Sequence, residues 1–362
     1  MSFHYHCLQC GKPLHFQGIC SNCQAVQKKQ HTCALTQAQV KSKIQYLFEH
    51  ISEISYPTKQ VYKDFWNFIS FRGICPPELQ EAALANAIYT LPELYFHASS
   101  DICESLILSL MQTEDIEMGE QILYCIAMIG DKKALEVFYK LEQKPLYWLE
   151  DILPSIYAQY GGWTFDNTGK KQELKYDICY HIIENQKSEN SIIGHVREDF
   201  CAYCGCQLVD ILILDGRDKR LSFLNIDGII TAVCCPECVC CETMFCQYTL
   251  DGKSNVLFDE TYCLDTIENT TDIDIIKQLQ CHNFILSQNS VPVFYGANGK
   301  NVNTIGGFAN WGENWYYTTC PSCGKTMKYL AQIQWQTVIS FFEGTLYIEI
   351  CTDCQIISMH CQ

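Results

Sequence analysis

The sequence predicts an α+β protein in three parts: an N-terminal zinc ribbon over residues 1–30, an α-helical middle over 35–160, and a duplicated β-rich domain with zinc knuckles over 161–362. Three observations predict it. Twelve of the 25 cysteines fall into six Cys-x-x-Cys pairs, which combine by distance into three four-cysteine sets. Apolar residues recur three and four apart from about Leu35 to Tyr160, the period of a helix. After Gly161-Gly162-Trp163 the chain changes to Thr, Asp, Asn and Gly turns between β-branched and aromatic runs, the pattern of short strands.

The three sets are Cys7/Cys10 with Cys20/Cys23, Cys201/Cys204 with Cys235/Cys238, and Cys320/Cys323 with Cys351/Cys354. A tight Cys-x-x-Cys turn brings two sulfurs within about 2.3 Å of one metal, and a second knuckle from another loop closes the tetrahedron. The expected content is zinc, about three ions per chain. Four thiolates leave no open position, so such sites stabilise a fold rather than catalyse. Iron–sulfur ligation uses the same donors and stays open on spacing alone. A disulfide scaffold requires an oxidising compartment. The N-terminus has no basic leader before an apolar core, and the expectation is a cytoplasmic protein. Cys241 follows Cys238 by three residues and competes with Cys235 as the fourth ligand of the second set.

Composition narrows the function classes. No apolar run approaches the roughly 18 residues that cross a bilayer, and no membrane partner is expected. The net charge is −16, unevenly spread: residues 1–60 carry six Lys/Arg and two Asp/Glu, whereas 61–160 carry six and 15. A four-thiolate zinc site adds about two negative charges more. An acidic surface repels phosphate backbones and attracts a basic protein.

Gly11 and Gly18 permit the turns of the first ribbon, and Gln24 to Gln30 reads as a linker into helix. Amphipathic helices then follow one another, with apolar residues three and four apart in Val40, Ile44, Leu47, Phe48 and Ile51 and again in Val61, Phe65, Phe68 and Ile69. Pro57, Pro76/Pro77, Pro92, Pro145 and Pro154 lie near segment starts, where a missing N–H costs least. The stretch Gly119 to Leu141, an apolar helix, a Gly130-Asp131 break and a second amphipathic helix, resembles a HEAT-type repeat. In the last region Asp210–Leu214, Gly228–Val233, Val291–Tyr295 and Thr345–Ile350 read as strands. The two C-terminal cysteine sets overlay, Cys201-Ala-Tyr-Cys204-Gly on Cys320-Pro-Ser-Cys323-Gly and Cys235/Cys238 on Cys351/Cys354, which reads as an internal duplication.

The segment Ile305-Gly306-Gly307-Phe308-Ala309-Asn310-Trp311-Gly312-Glu313, followed by Cys320-Pro-Ser-Cys323-Gly-Lys-Thr-Met327 and Leu330-Ala-Gln332, resembles the YwqG-like family. That family is grouped with the C-terminal domain of the programmed-cell-death-protein-two family of ribosome-assembly proteins. The resemblance runs from Cys201 to the end. It departs from the family pattern at Ala309 and Glu313, where the family has Pro and Gln. It implies a duplicated β domain, with relatives that chaperone a ribosomal protein or act as immunity proteins beside toxin genes, and no transferable catalytic residue.

Gly306, Gly307, Trp311 and Glu313 are the candidate partner-binding residues: the glycines for close backbone approach, the tryptophan as an interface anchor. Trp315 offers a second such anchor, and core packing is the expected role for at least one of Trp311 and Trp315. No nucleophile elbow, His-Glu-x-x-His, phosphate loop or dinucleotide fingerprint is present, so no enzyme is expected. The reading is a zinc-stabilised protein-binding module that captures a basic partner, as a toxin-immunity protein or a dedicated chaperone. The alternatives are a nucleic-acid-binding zinc-ribbon protein and an unrecognised hydrolase.

Overall fold

The computed structural model describes residues 5–11, 13–149, 152–185, 190–263, 273–298, 302–313 and 315–362. It has helices in the N-terminal part and sheets in the C-terminal part, in two compact units, Met1–Gly161 and Gly162–Gln362.

In the first unit a two-stranded ribbon, β1 (Tyr5–His6) with β2 (Pro13–Leu14), precedes α1 (Ser21–Ala34). The stretch expected as a linker, Gln24 to Gln30, is the middle of that helix. Its first turn is the second knuckle itself: Cys20 is the N-cap, and its sulfur accepts the Cys23 N–H. Gln, Ala and Lys then propagate it well. At its far end Arg72 donates to the carbonyls of Thr32 and Cys33 at 3.1 and 3.0 Å, supplying a partner and a positive charge where helix carbonyls are left over.

The remaining helices are α2 (Gln37–Glu49), α3 (Gln60–Arg72), α4 (Pro77–Ala85), α5 (Ser100–Gln112), α6 (Ile116–Ile129), α7 (Lys132–Gln143) and α8 (Pro154–Tyr160). Their ends are written in the sequence. Thr36 and Gln39 form a reciprocal capping box on α2, while Ser99, Asp115 and Asp131 cap α5, α6 and α7. Gly73 and Gly130 end α3 and α6 at φ of 64° and 58°, a conformation glycine adopts without steric cost. α5 packs on α6 and α7, and α8 on α6 and α7. Phe65, Phe68, Leu106, Ile122, Ile126 and Phe138 are buried in this unit.

The second unit opens with the hairpin β3 (Trp163–Phe165) and β4 (Lys171–Glu173). Its main sheet has eight antiparallel strands built from β5 (Cys179–Glu184), β9 (Met244–Tyr248), β10 (Ser254–Val256), β11 (Phe284–Leu286), β12 (Asn303–Gly306), β13 (Lys328–Gln334), β14 (Thr345–Cys351) and β15 (Ile356–Cys361), in the order β10-β9-β15-β14-β13-β12-β5-β11. A separate three-stranded sheet joins β6 (His195–Phe200), β7 (Gln207–Asp215) and β8 (Ile229–Cys234), and α9 spans Ile273–Cys281. The expected strand at Val291–Tyr295 is a turn instead. Val291 makes one isolated bridge to Cys179, and the Tyr295 N–H turns back to the Pro292 carbonyl, because proline has no N–H to offer a ladder.

The element order knuckle, hairpin, knuckle, strand occurs twice, with β7–β8–β9 in one copy and β13–β14–β15 in the other. β9 and β15 lie side by side with Met244 opposite Met359. The copies differ in sheet membership: β13 and β14 extend the large sheet, whereas β7 and β8 pair with β6.

Candidate metal centres

Each knuckle is a backbone device before it is a ligand set. In the three Cys-x-x-Cys-Gly turns the glycine N–H closes on the carbonyl of the first cysteine, Gly11 on Cys7 at 3.0 Å, Gly205 on Cys201 at 2.8 Å and Gly324 on Cys320 at 2.9 Å. All three glycines have positive φ, 73°, 78° and 70°, the region where a Cβ is disfavoured. The knuckle Cys351-Thr-Asp-Cys354 places Gln355 in the same region, at φ 55°.

The turns converge in space. Cys7, Cys10, Cys20 and Cys23 form one cluster, Cys201, Cys204, Cys235 and Cys238 a second, and Cys320, Cys323, Cys351 and Cys354 a third, each with its sulfurs within 4.8 Å of one another. Close pairs lie at 3.7 Å (Cys10/Cys20), 3.8 Å (Cys201/Cys238), 3.4 Å (Cys204/Cys235) and 3.8 Å (Cys323/Cys351). Four sulfurs at about 2.3 Å from a central ion sit about 3.8 Å apart along each edge of the tetrahedron. Disulfide sulfurs lie at about 2.05 Å. The donor set therefore fits a tetrahedral metal, and all 25 cysteines are free of disulfides. Cys235 belongs to the second cluster and Cys241 does not.

Thiols within a cluster do not ionise alike. The Cys20 backbone N–H, 3.3 Å from the Cys7 sulfur, helps hold that thiol down at about 6, while burial pushes Cys23 up to about 12. In the second cluster the Cys235 thiol stabilises the Cys201 thiolate, pulling it to about 5; Cys235 is driven up in return, and burial drives up Cys238. In the third a backbone hydrogen bond from Lys325 lowers Cys323, and burial raises Cys351 to about 12. A central divalent cation offsets the repulsion among four sulfur charges, so metal uptake releases protons.

The other sequence candidates sit apart from these clusters. Gly306 and Gly307 have φ of 70° and 74°, and a Cβ there would lie 2.1 Å from the Ile178 carbonyl oxygen and 2.5 Å from that of Val293. Their close approach is to the chain's own backbone. Trp311 is half-buried, its ring 4.6 Å from Tyr347 and stacked over His360. Glu313 is exposed, its N–H 3.4 Å from the Gln362 side-chain oxygen.

That segment covers a polar face of the large sheet which sequence reasoning missed. On β14, Leu346, Ile348 and Ile350 enter the main core, and Tyr347 and Glu349 point to the opposite face. Glu349 is fully buried; it accepts from the Thr318 N–H at 2.7 Å, from the Thr318 hydroxyl and from Ser358 at 3.3 Å, and burial raises its carboxyl to about 7. His360 on the neighbouring strand is 5% exposed with no hydrogen-bond partner on either ring nitrogen among the described residues, and burial lowers it to about 4. In the first unit Glu93 is likewise buried, with the Tyr160 hydroxyl donating to it at 2.6 Å. The signal for Glu349 was a lone acid inside the apolar run Thr345–Cys351.

Comparison with known proteins finds a Salmonella typhimurium relative, "Uncharacterized protein YpfL", 27% identical over 272 residues, which covers 72% of this chain. The chain spans 63% of that relative's length. No protein-family model and no solved structure matches. Among the described residues no helix is long and apolar enough to cross a membrane.

Proposed function

We propose that the protein is a zinc-stabilised binding module that captures a basic protein partner, with one zinc ion in each cysteine cluster. The observation that carries the reading is a set of exposed apolar side chains on the helical unit, with exposed acids next to some of them in the chain. Leu108 and Met111 on α5, Ile116 and Met118 at the start of α6, Tyr147 before α8 and Leu153 at its N-cap are all exposed. The Tyr147 hydroxyl donates to the Glu114 carbonyl and Thr113 donates to the Met118 sulfur, which ties Tyr147 and Met118 to the turn between α5 and α6. Glu114, Asp115 and Glu117 are exposed next to Ile116 and Met118 in the chain. Exposed apolar patches on a folded unit mark interaction sites, and the acids select a basic occupant and speed its encounter.

Capture of a basic protein suits either a toxin-immunity protein or a dedicated chaperone, the two roles that the YwqG-like resemblance implies. Genes beside this one separate them, toxin genes favouring the first and ribosome-assembly genes the second. The decisive test is affinity capture from the native host, followed by association rates of the identified partner across salt concentrations. Capture of a basic protein whose association slows as salt rises, and slows again in the variant E114K/E117K, which leaves the Asp115 cap and the Tyr157–Glu120 hydrogen bond in place, with zinc content unchanged, supports the reading. A neutral or acidic partner overturns it.

A second reading, nucleic-acid binding, is favoured by one observation: a cleft of about 550 Å³ in the helical unit whose lining includes Lys28, His31 and Lys43. The only carboxylate among its described lining residues, Asp64, is already paired with Lys43 at 2.5 Å. Binding of duplex or single-stranded nucleic acid at physiological salt more tightly than the roughly 10⁻⁴–10⁻⁶ M of non-specific contacts decides for this reading.

A further inference from the structure

A groove of about 800 Å³ opens against the second cysteine cluster, with Cys238 in its wall. Its floor is apolar, formed by Phe245, Leu257 and buried Met244 together with Tyr203. The charged residues among its described lining are Glu237, Glu242 and Asp259, with no Lys, Arg or His among them. The two sides are tied together. The Asp259 N–H donates to the Tyr203 hydroxyl at 2.6 Å, the Tyr203 ring meets Phe258 edge-on at 4.9 Å, and the Leu257 N–H donates to the Phe245 carbonyl at 2.8 Å. Tyr203 lies between Cys201 and Cys204, so the same knuckle that holds the metal fixes one wall of the groove.

A groove this size falls within the roughly 300–1,000 Å³ of ordinary ligand pockets. A tetrathiolate zinc centre beside it adds about two negative charges to the three carboxylates. An acidic ligand is repelled, and a purely polar cation gains nothing from an apolar floor. The complementary occupant is a chain segment with a Leu, Met or Phe side chain flanked by Lys or Arg. We propose that this groove is a peptide-docking site for such a basic–apolar–basic segment. It rests on the capture reading above for its role, giving the β-rich unit a recognition site of its own, and it is tested independently of the helical face.

The probe is a fluorescein-labelled heptapeptide with Lys-Leu-Arg at its centre, titrated by anisotropy against zinc-loaded full-length protein. Controls carry Lys-Gly-Arg and Glu-Leu-Glu. The Lys-Leu-Arg peptide is expected to bind saturably, with affinity falling as salt rises, and both controls at least about tenfold more weakly, a factor equivalent to about 1.4 kcal/mol. E237K/E242K reverses two exposed charges and L257S trims an exposed side chain; each is expected to weaken the peptide about tenfold while zinc content and circular dichroism stay unchanged. The helical-face variant E114K/E117K is expected to bind the peptide as wild type does. Equal binding of the Lys-Leu-Arg and Lys-Gly-Arg peptides, unchanged affinity in both groove variants, or no saturable binding overturns the proposal. Loss of protein capture in the helical-face variant with peptide binding intact, or the reverse, shows which of the two sites is at work.

Discussion

Replacing Gly306 by alanine, with Gly324 to alanine beside it, separates two costs that a glycine can hide. Both residues sit at φ of 70°. An alanine in that region costs roughly 1–2 kcal/mol in the folded state, offset by about 0.4–1 kcal/mol from the stiffer unfolded chain. At Gly324 nothing lies within 4 Å of the added Cβ, so the net loss should be about 1 kcal/mol. At Gly306 the Cβ would meet the Ile178 carbonyl oxygen at 2.1 Å. Gly306 pairs with Cys179 across β12 and β5, so the obstacle is the backbone of the next strand and cannot rotate away. Overpacking of this kind adds about 1–3 kcal/mol, for a total near 2–4 kcal/mol. Urea unfolding of the zinc-loaded protein followed by tryptophan fluorescence measures both, since Trp163, Trp311, Trp315 and Trp335 all belong to the second unit. Equal losses in the two variants would refute the reasoning.

Glu93 is buried and its carboxyl is raised by desolvation, so its protonated form favours the folded state. That contribution is complete below the ordinary carboxylate range near 4.5 and is lost as pH climbs through the raised value. Glu93→Gln should therefore stabilise the protein increasingly as pH rises from about 4.5, read as the difference in melting temperature across pH; a constant difference contradicts it. Ser at both Cys320 and Cys323 should remove one metal ion and expose the β-rich unit to protease, because thiolate–metal bonding is coupled to folding. Limited proteolysis beside metal analysis checks this, and an unchanged digestion pattern at reduced metal content opposes it.

What was legible in the sequence is what depends on local spacing. Cys-x-x-Cys-Gly states both a turn and a ligand pair, so the three clusters could be composed before any fold was known. The helices were legible from their apolar period, whereas the caps at Thr36, Ser99, Asp115 and Asp131 went unread, although each acts within one helical turn. Long-range features were not. Nothing local to Val291–Tyr295 says that it makes an isolated bridge to Cys179 in place of a ladder, and the apolar run there misled toward a strand. Gln24–Gln30 looked like a linker because its charge conceals a good helix propensity that the Cys20 cap sets in motion. Gly306-Gly307 announced a close approach but not its object, which is Ile178 and Val293 of the same chain. The polar face of Glu349 and His360 depends on which side of β14 and β15 Trp311 and Thr318 cover, a tertiary fact.

The most direct test of the central claim is the metal content of protein expressed without added zinc and purified without chelator, measured by inductively coupled plasma mass spectrometry together with the visible spectrum. Three clusters whose sulfurs stand at tetrahedral separations predict close to three zinc ions per chain, two of them in the second unit, and no visible absorbance. One ion or none, or iron with visible absorbance, would contradict it.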